Sequence, residues 1–109
     1  MYLIKNVLVP TDFSEHSAAA LELASALVSL YEAKLHLIHV QVIKGRSHND
    51  ELNAKKELDK FSTRWFKQST EIAKIVREGH PYREIVRYAN EEKIDLIIMA
   101  THGRTGLTH

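Results

Sequence analysis

The sequence contains no cysteine, only two prolines and four glycines, and almost no excess of charge. Without cysteine, the chain forms no disulfide scaffold, thiolate zinc site or cysteine nucleophile. Fifteen basic against fourteen acidic residues leave a formal net charge of +1, which argues against a general nucleic-acid binder. No apolar run is long enough to span a membrane, and no signal peptide precedes the first predicted strand. We therefore expect a soluble, cytoplasmic protein with one domain over residues 1–109.

Short apolar segments alternate with segments of helical periodicity along the whole chain. The segments that predict strands are 6–10, 34–42, 70–78 and 94–100. The segments that predict amphipathic helices are 14–33, 51–67 and 81–93. Ser14 and Asp50 are expected to cap the first two helices, and Pro81 to begin the third. Within the second helix, one of Trp65 and Phe66 is expected in the core and the other on a dimer or lid surface.

This alternation predicts an α/β fold with an open parallel sheet and right-handed connections. Ligands of such folds bind beyond the carboxyl ends of the strands, where the strand order reverses. Residues 10–14, 40–42 and 101–106 occupy those ends, so any binding site should be built from them.

Residues 103–106 (GRTG) form a glycine-paired loop after the most apolar predicted strand. Two glycines let backbone N–H groups approach a phosphate closely, and Arg104 and Thr105 add donors. The segment matches neither the P-loop nor the dinucleotide-binding motif. Judged locally, it predicts a tight glycine turn. The neighbouring His102 has two interpretations, ligand contact and loop packing.

Asp12 also has two interpretations: a carboxylate for ribose hydroxyls or a metal, and a local cap or Asx-turn. His36 and His39 lie three apart in a predicted strand, so they point to opposite faces and cannot chelate one ion. The remaining histidines show no ligand spacing, so we expect no zinc-type metal site. No Ser-His-Asp or paired-carboxylate pattern supports hydrolysis, and we expect no enzyme.

Together these segments resemble the universal stress protein family over essentially the whole chain. The matching segments are 4–15 (IKNVLVPTDFSE), the strand ending in His39-Val40, 76–81 (VREGHP) with 84–86 (EIV), and 95–107 (DLIIMATHGRTGL). The last segment is the most specific. The resemblance implies a Rossmann-like fold of the adenine nucleotide alpha hydrolase type, with helices on both faces of the sheet and parallel strand order 3-2-1-4-5.

One branch of this family binds ATP through the motif Gly-x2-Gly-x9-Gly-Ser/Thr, and Gly103 and Gly106 match its first two glycines. The resemblance implies a regulatory protein that binds ATP, with Mg²⁺, or AMP at the ends of strands 1, 2 and 4. It implies that Asp12 contacts the adenosine portion and the Val40 backbone the adenine edge. The full set of implied nucleotide-binding residues is Pro10, Thr11, Asp12, Val40, Thr101, His102, Gly103, Arg104 and Gly106.

The sequence departs from the family pattern in two places. His80 stands where members commonly carry an acidic helix cap. The third motif glycine would follow Gly106 by ten positions, beyond His109. We therefore expect a single domain that is C-terminally incomplete, without strand 5, so that residues 96–100 form an apolar sheet edge. A homodimer is the implied partner arrangement. The alternative function is a dimeric stress-response interaction module that binds no nucleotide.

Overall fold

The computed structural model of the chain describes residues 3–42 and 48–100, without the side chains of residues 15–17, 48 and 49. Strands and helices alternate strictly, as predicted. In chain order the elements are β1 (Asn6–Pro10), α1 (Glu15–Tyr31), β2 (Lys34–Gln41), α2 (His48–Trp65), β3 (Ile72–Glu78), α3 (Pro81–Glu91) and β4 (Leu96–Ile97). No helix within these ranges is long and apolar enough to cross a membrane.

The four described strands form one parallel sheet in the order β3-β2-β1-β4. This order confirms the 3-2-1-4 part of the implied topology. The chain steps outward from β1 to β3 and then crosses over to place β4 on the opposite side of β1. The carboxyl ends of β1, β2 and β4 consequently lie next to one another at one edge of the sheet.

Two apolar layers pack on opposite faces of the sheet. On one face, odd-numbered residues of β1 and β2 such as Val7 and Leu37 pack against α1 and α2. On the other face, Leu8 and Ile38 pack against Ile85 of α3. This division follows from the alternation of side chains along a strand, and it confirms the prediction of helices on both faces.

Several predicted element boundaries differ from the structure by one to three residues, and two of these differences are informative. Helix α2 begins at His48, so Asp50 lies in its first turn and is not the cap; an acidic residue there still faces the positive end of the helix dipole. Strand β4 covers only Leu96–Ile97, although residues 94–100 predict a longer strand. The β1–β4 ladder stops because its next hydrogen bond would need an N–H from Pro10, which proline lacks.

The other helix starts agree with the sequence. Ser14 is the N-cap residue of α1, although its hydroxyl makes no capping hydrogen bond. Pro81 occupies the first turn of α3, after His80 at the N-cap.

Phe66 is buried in the core, and Trp65 is partly buried against the same apolar cluster.

Candidate functional site

A pocket of about 280 Å³ lies at the carboxyl ends of β1, β2 and β4. Its lining comprises Pro10, Thr11, Asp12, Ser14, Ile38, His39, Val40, Pro81, Ile85, Met99 and Ala100. The fold thus brings together four of the predicted site residues, which the chain separates into two groups: Pro10, Thr11 and Asp12 after β1, and Val40 in β2. The other five, Thr101, His102, Gly103, Arg104 and Gly106, lie outside the described residues.

The pocket wall is mainly apolar. Aliphatic and proline side chains from three strand ends and from α3 form most of it, and among the described lining residues Asp12 is the one carboxylate and none is lysine or arginine. Small-molecule pockets commonly measure about 300–1,000 Å³, so the volume of about 280 Å³ is just below that range. The described part of the site therefore suits an uncharged, largely apolar group of nucleoside size better than a polyanion.

The segment 11–14, which we call the 11–14 turn, forms the pocket rim. The Phe13 N–H donates to Thr11 Oγ1 at 3.0 Å, and the Ser14 N–H donates to Asp12 Oδ1 at 2.9 Å. Asp12 therefore makes the Asx-turn that one of its two interpretations predicts. The residue remains exposed at the rim, so the local role and a ligand-binding role are compatible.

Thr11 anchors this turn to β2. It is 6% exposed, its N–H donates to the Ile38 carbonyl at 2.9 Å, and its own carbonyl accepts a hydrogen bond from His39 Nδ1 at 2.8 Å. The Phe13 ring lies on the His39 ring with centroids 4.4 Å apart. Both backbone polar groups of Thr11 are thus held by neighbouring residues of one strand.

The backbone of Val40 faces the pocket side of β2. Alternate carbonyls of a strand point to opposite neighbours; the Ile38 carbonyl points to β1, where it accepts from Thr11, and the Gln41 carbonyl points to β3, where it accepts from Gly79. The Val40 carbonyl consequently points to the same side as that of Ile38. Because β1 ends at Pro10, the peptide groups of Val40 are directed toward the space beyond that strand.

Helix α3 supplies a wall that the sequence analysis did not assign. Pro81 and Ile85 line the pocket because α3 begins at the end of β3 and crosses the sheet to reach β4. His39, Met99 and Ala100 were also missed. A signal was present for these three, since His39 directly precedes Val40, and Met99 and Ala100 are the two residues before Thr101.

A buried polar network holds α3 against the sheet below this wall. His36 is 1% exposed; its Nε2–H donates to Asn6 Oδ1 at 3.0 Å, and its Nδ1 accepts from the Tyr88 hydroxyl at 2.6 Å. Burial, with a smaller contribution from Lys34, lowers the pKa of His36. Burial also raises the pKa of Tyr88 to about 12. Both groups are therefore uncharged at neutral pH.

His36 and His39 lie on opposite faces of β2, as predicted, because one contacts Tyr88 of α3 and the other Phe13. Within the described part of the chain, no three His, Asp or Glu side chains are arranged to hold a metal ion.

Two larger concavities, of about 440 and 570 Å³, surround the α2–β3 connection. They lie at the amino ends of the strands and are lined largely by exposed polar residues.

The chain is similar to known proteins over nearly its whole length. A family model described as the universal stress protein family matches residues 3–109. Universal stress protein MJ0577 of Methanocaldococcus jannaschii is 31% identical over 131 residues, covering 96% of this chain and 81% of that protein.

Solved structures agree with the topology. The structure of hypothetical protein MJ0577 superposes with a TM-score of 0.78 at 29% identity, covering 98% of this chain and 81% of that chain. A universal stress protein in complex with cAMP has a TM-score of 0.69 at 20% identity, with coverage of 89% and 76%.

Proposed function

Because the chain belongs to the universal stress protein family, we propose that it is a regulatory domain that binds ATP or AMP in the pocket at the ends of β1, β2 and β4. The observation that carries the proposal is the convergence of Pro10, Thr11, Asp12 and Val40 on one mainly apolar pocket. These residues come from separate segments. The family resemblance implies that Asp12 and Val40 contact adenosine and that Pro10 and Thr11 line the same pocket.

The lining is chemically suited to a purine base. A flat heteroaromatic ring needs apolar walls and a few fixed hydrogen-bonding groups at its edge. Ile38, Ile85 and Met99 offer apolar surface, and the peptide groups of Val40 are directed to the space beyond β1. Backbone groups at such a position read the edge of the base without a charged side chain.

Asp12 is suited to the ribose, because an exposed carboxylate at the rim accepts hydrogen bonds from vicinal hydroxyls. The phosphates need cationic donors, and none of the described lining residues is lysine or arginine. Residues 101–106 follow Ala100 of the pocket directly in sequence, and their glycines and Arg104 are donors of the kind that phosphates require. Mg²⁺ would accompany ATP there and neutralise part of its charge.

The fold has accommodated an adenine nucleotide in another protein, since a universal stress protein of this architecture was solved with cAMP. At 20% identity that structure supports the fold alone, so the argument for this chain rests on its own pocket. We propose nucleotide binding without turnover, and we expect phosphate release from ATP to stay at the background rate.

Isothermal titration calorimetry with ATP plus Mg²⁺, AMP and, for base specificity, GTP tests the proposal. The informative variant is Asp12→Asn, because an asparagine Oδ1 retains the acceptor for the Ser14 N–H while the charge is lost. The matched control is Glu71→Gln, which removes the same charge at the amino end of β3, where the Glu71 side chain is 75% exposed.

We expect heat with ATP or AMP and not with GTP, and at least a tenfold weaker Kd for Asp12→Asn, since hydrogen bonds to a charged group contribute about 1.5–3 kcal/mol. Glu71→Gln should bind like the wild type. Absence of heat at millimolar adenine nucleotide would overturn the proposal, and equal affinities for both variants would remove Asp12 from the site.

A specific surface feature favours a second candidate, a dimeric interaction module that needs no nucleotide. Among the described strands, β4 forms one edge of the sheet. Ile97 in this strand is 39% exposed, and Met99, two residues after it, is 50% exposed. An apolar edge strand pairs readily with another chain, so we propose a homodimer through β4. Light scattering should show a dimer that Ile97→Lys dissociates. A stable wild-type monomer without nucleotide would exclude this candidate.

A further inference from the structure

The 11–14 turn contains an unusual backbone conformation. Phe13 has a φ of 67°, a left-handed value that a bulky side chain rarely adopts and that persists only where surrounding contacts hold it. Phe13 lies between two residues that line the candidate pocket, Asp12 and Ser14. The shape of the rim therefore depends on whatever keeps Phe13 in this conformation.

His39 makes the contacts that hold it. Its Nδ1–H donates to the carbonyl of Thr11 at 2.8 Å, which directs the peptide unit leading into Asp12. Its ring also lies on that of Phe13, with centroids 4.4 Å apart and an interplanar angle of 32°. One side chain thus fixes the turn through a hydrogen bond at its start and a ring contact at its strained residue.

A second aromatic ring also contacts Phe13. Phe61 of α2 stacks on it with centroids 5.6 Å apart and an interplanar angle of 20°. Phe13 therefore has ring contacts with both β2 and α2. The ring contacts act on the side chain of Phe13, whereas the hydrogen bond from His39 acts on the backbone of the rim itself.

We propose that His39 is a positioning residue for the pocket: its Nδ1–H hydrogen bond to Thr11 holds the 11–14 turn, and with it Asp12, in the geometry that a nucleotide needs. The consequence for nucleotide affinity rests on the proposed function. The consequence for the turn does not, because it depends only on contacts within the chain.

Two substitutions separate the hydrogen bond from the ring contact. His39→Phe keeps an aromatic ring against Phe13 but has no donor, and His39→Asn keeps an amide donor near the Nδ1 position but has no ring. Amide hydrogen exchange by NMR reports the turn directly, because the Phe13 and Ser14 N–H groups are hydrogen bonded within it. The Glu92 amide, bonded to the Tyr88 carbonyl in α3, is the internal control.

We expect the Phe13 and Ser14 amides to exchange at least tenfold faster in His39→Phe than in the wild type, and the Glu92 amide to be unchanged. His39→Asn should lie closer to the wild type. In calorimetry, His39→Phe should bind adenine nucleotide about tenfold more weakly, with affinity partly rescued in His39→Asn. Should His39→Phe fail to fold, His39→Leu takes its place, because leucine has the branched shape of asparagine but no donor.

Wild-type exchange rates at Phe13 and Ser14 in both variants would overturn the inference, even if the wild-type protein binds nucleotide. Faster exchange with no wild-type binding at millimolar nucleotide would overturn the proposed function and leave His39 as the residue that holds the turn. Faster exchange with unchanged nucleotide affinity would overturn the positioning role. The two measurements therefore fail independently.

Discussion

Tyr88→Phe is the most incisive test of how α3, and with it one wall of the pocket, is held on the sheet. The substitution removes one hydroxyl and retains the ring. In the wild type that hydroxyl donates to His36 Nδ1 at 2.6 Å, while Asn6 occupies Nε2. Phenylalanine has no donor, so the variant leaves a buried nitrogen acceptor without a partner.

The magnitude follows from the burial of both residues. His36 is 1% and Tyr88 5% exposed, so water cannot replace the lost donor without opening the contact between α3 and β2. Leaving a buried polar group unsatisfied costs about 1–3 kcal/mol. The ring keeps its edge contact with His36, and the Arg77 guanidinium remains 5.1 Å from the ring centroid. We expect a loss of about 2 kcal/mol in the free energy of unfolding.

Urea unfolding followed by circular dichroism at pH 7.5 measures the loss. Tyr82→Phe is the matched control, because Tyr82 lies on the same helix but is 68% exposed; its change should stay within about 0.5 kcal/mol. A Tyr88→Phe variant as stable as the control would refute the claim that His36 depends on this donor for its hydrogen bonding.

Three further predictions concern pH and backbone geometry. Burial lowers the pKa of His36 in the folded protein, so the unfolded chain takes up a proton first as pH falls below about 6.5, and stability should decrease there. The urea midpoints at pH 7.5 and 5.5 should therefore differ less in His36→Leu than in the wild type. A wild-type midpoint that rises on acidification would contradict this expectation. Asp95 Oδ2 accepts the N–H groups of Lys5 at 2.8 Å and Asn6 at 2.9 Å, which lowers the pKa of Asp95. Asp95→Ala should therefore lower the urea midpoint at pH 7 more than Asp95→Asn. The higher midpoint of the wild type should disappear as pH falls through the lowered pKa of Asp95, below 3.8. Equal midpoints of the two variants would count against this role of Asp95. Gly79 has a φ of +143°, and a Cβ there would come within 3.1 Å of Glu84 Cγ. Gly79→Ala should therefore lower the free energy of unfolding by about 1 kcal/mol or more, measured by thermal unfolding. An unchanged Tm would show that the backbone relaxes without strain.

Much of the fold could be predicted because it depends on local patterns. Strand β1 has the predicted bounds, since residues 6–10 form an apolar run that ends at a proline. Helix α3 begins at Pro81 as predicted, because proline fits the first turn of a helix. The short β4 could not be predicted from its own residues. Its length depends on the register that sets it beside Pro10, and register is a property of the pair of strands.

Part of the candidate site could likewise be predicted from the sequence, and part could not. Asp12 and Val40 could be selected because the carboxyl ends of parallel strands meet at one edge, and the resemblance assigned them a ligand. The wall from α3 and the role of His39 could not be selected from the pattern of apolar residues. Each depends on where an element lies after crossing the sheet, and periodicity describes the faces of one element only.

The amino-acid sequence by itself determined the alternation of strands and helices, the two-faced burial of the sheet and the chemical groups present at the strand ends. It did so because side-chain spacing is set by the local repeat of each element. The tertiary structure alone decided which of those groups meet. His36 and Tyr88 are 52 positions apart, and His39 and Thr11 are 28 apart. The first bond exists because α3 packs across a face of the sheet. The second exists because parallel pairing sets the ends of β1 and β2 side by side.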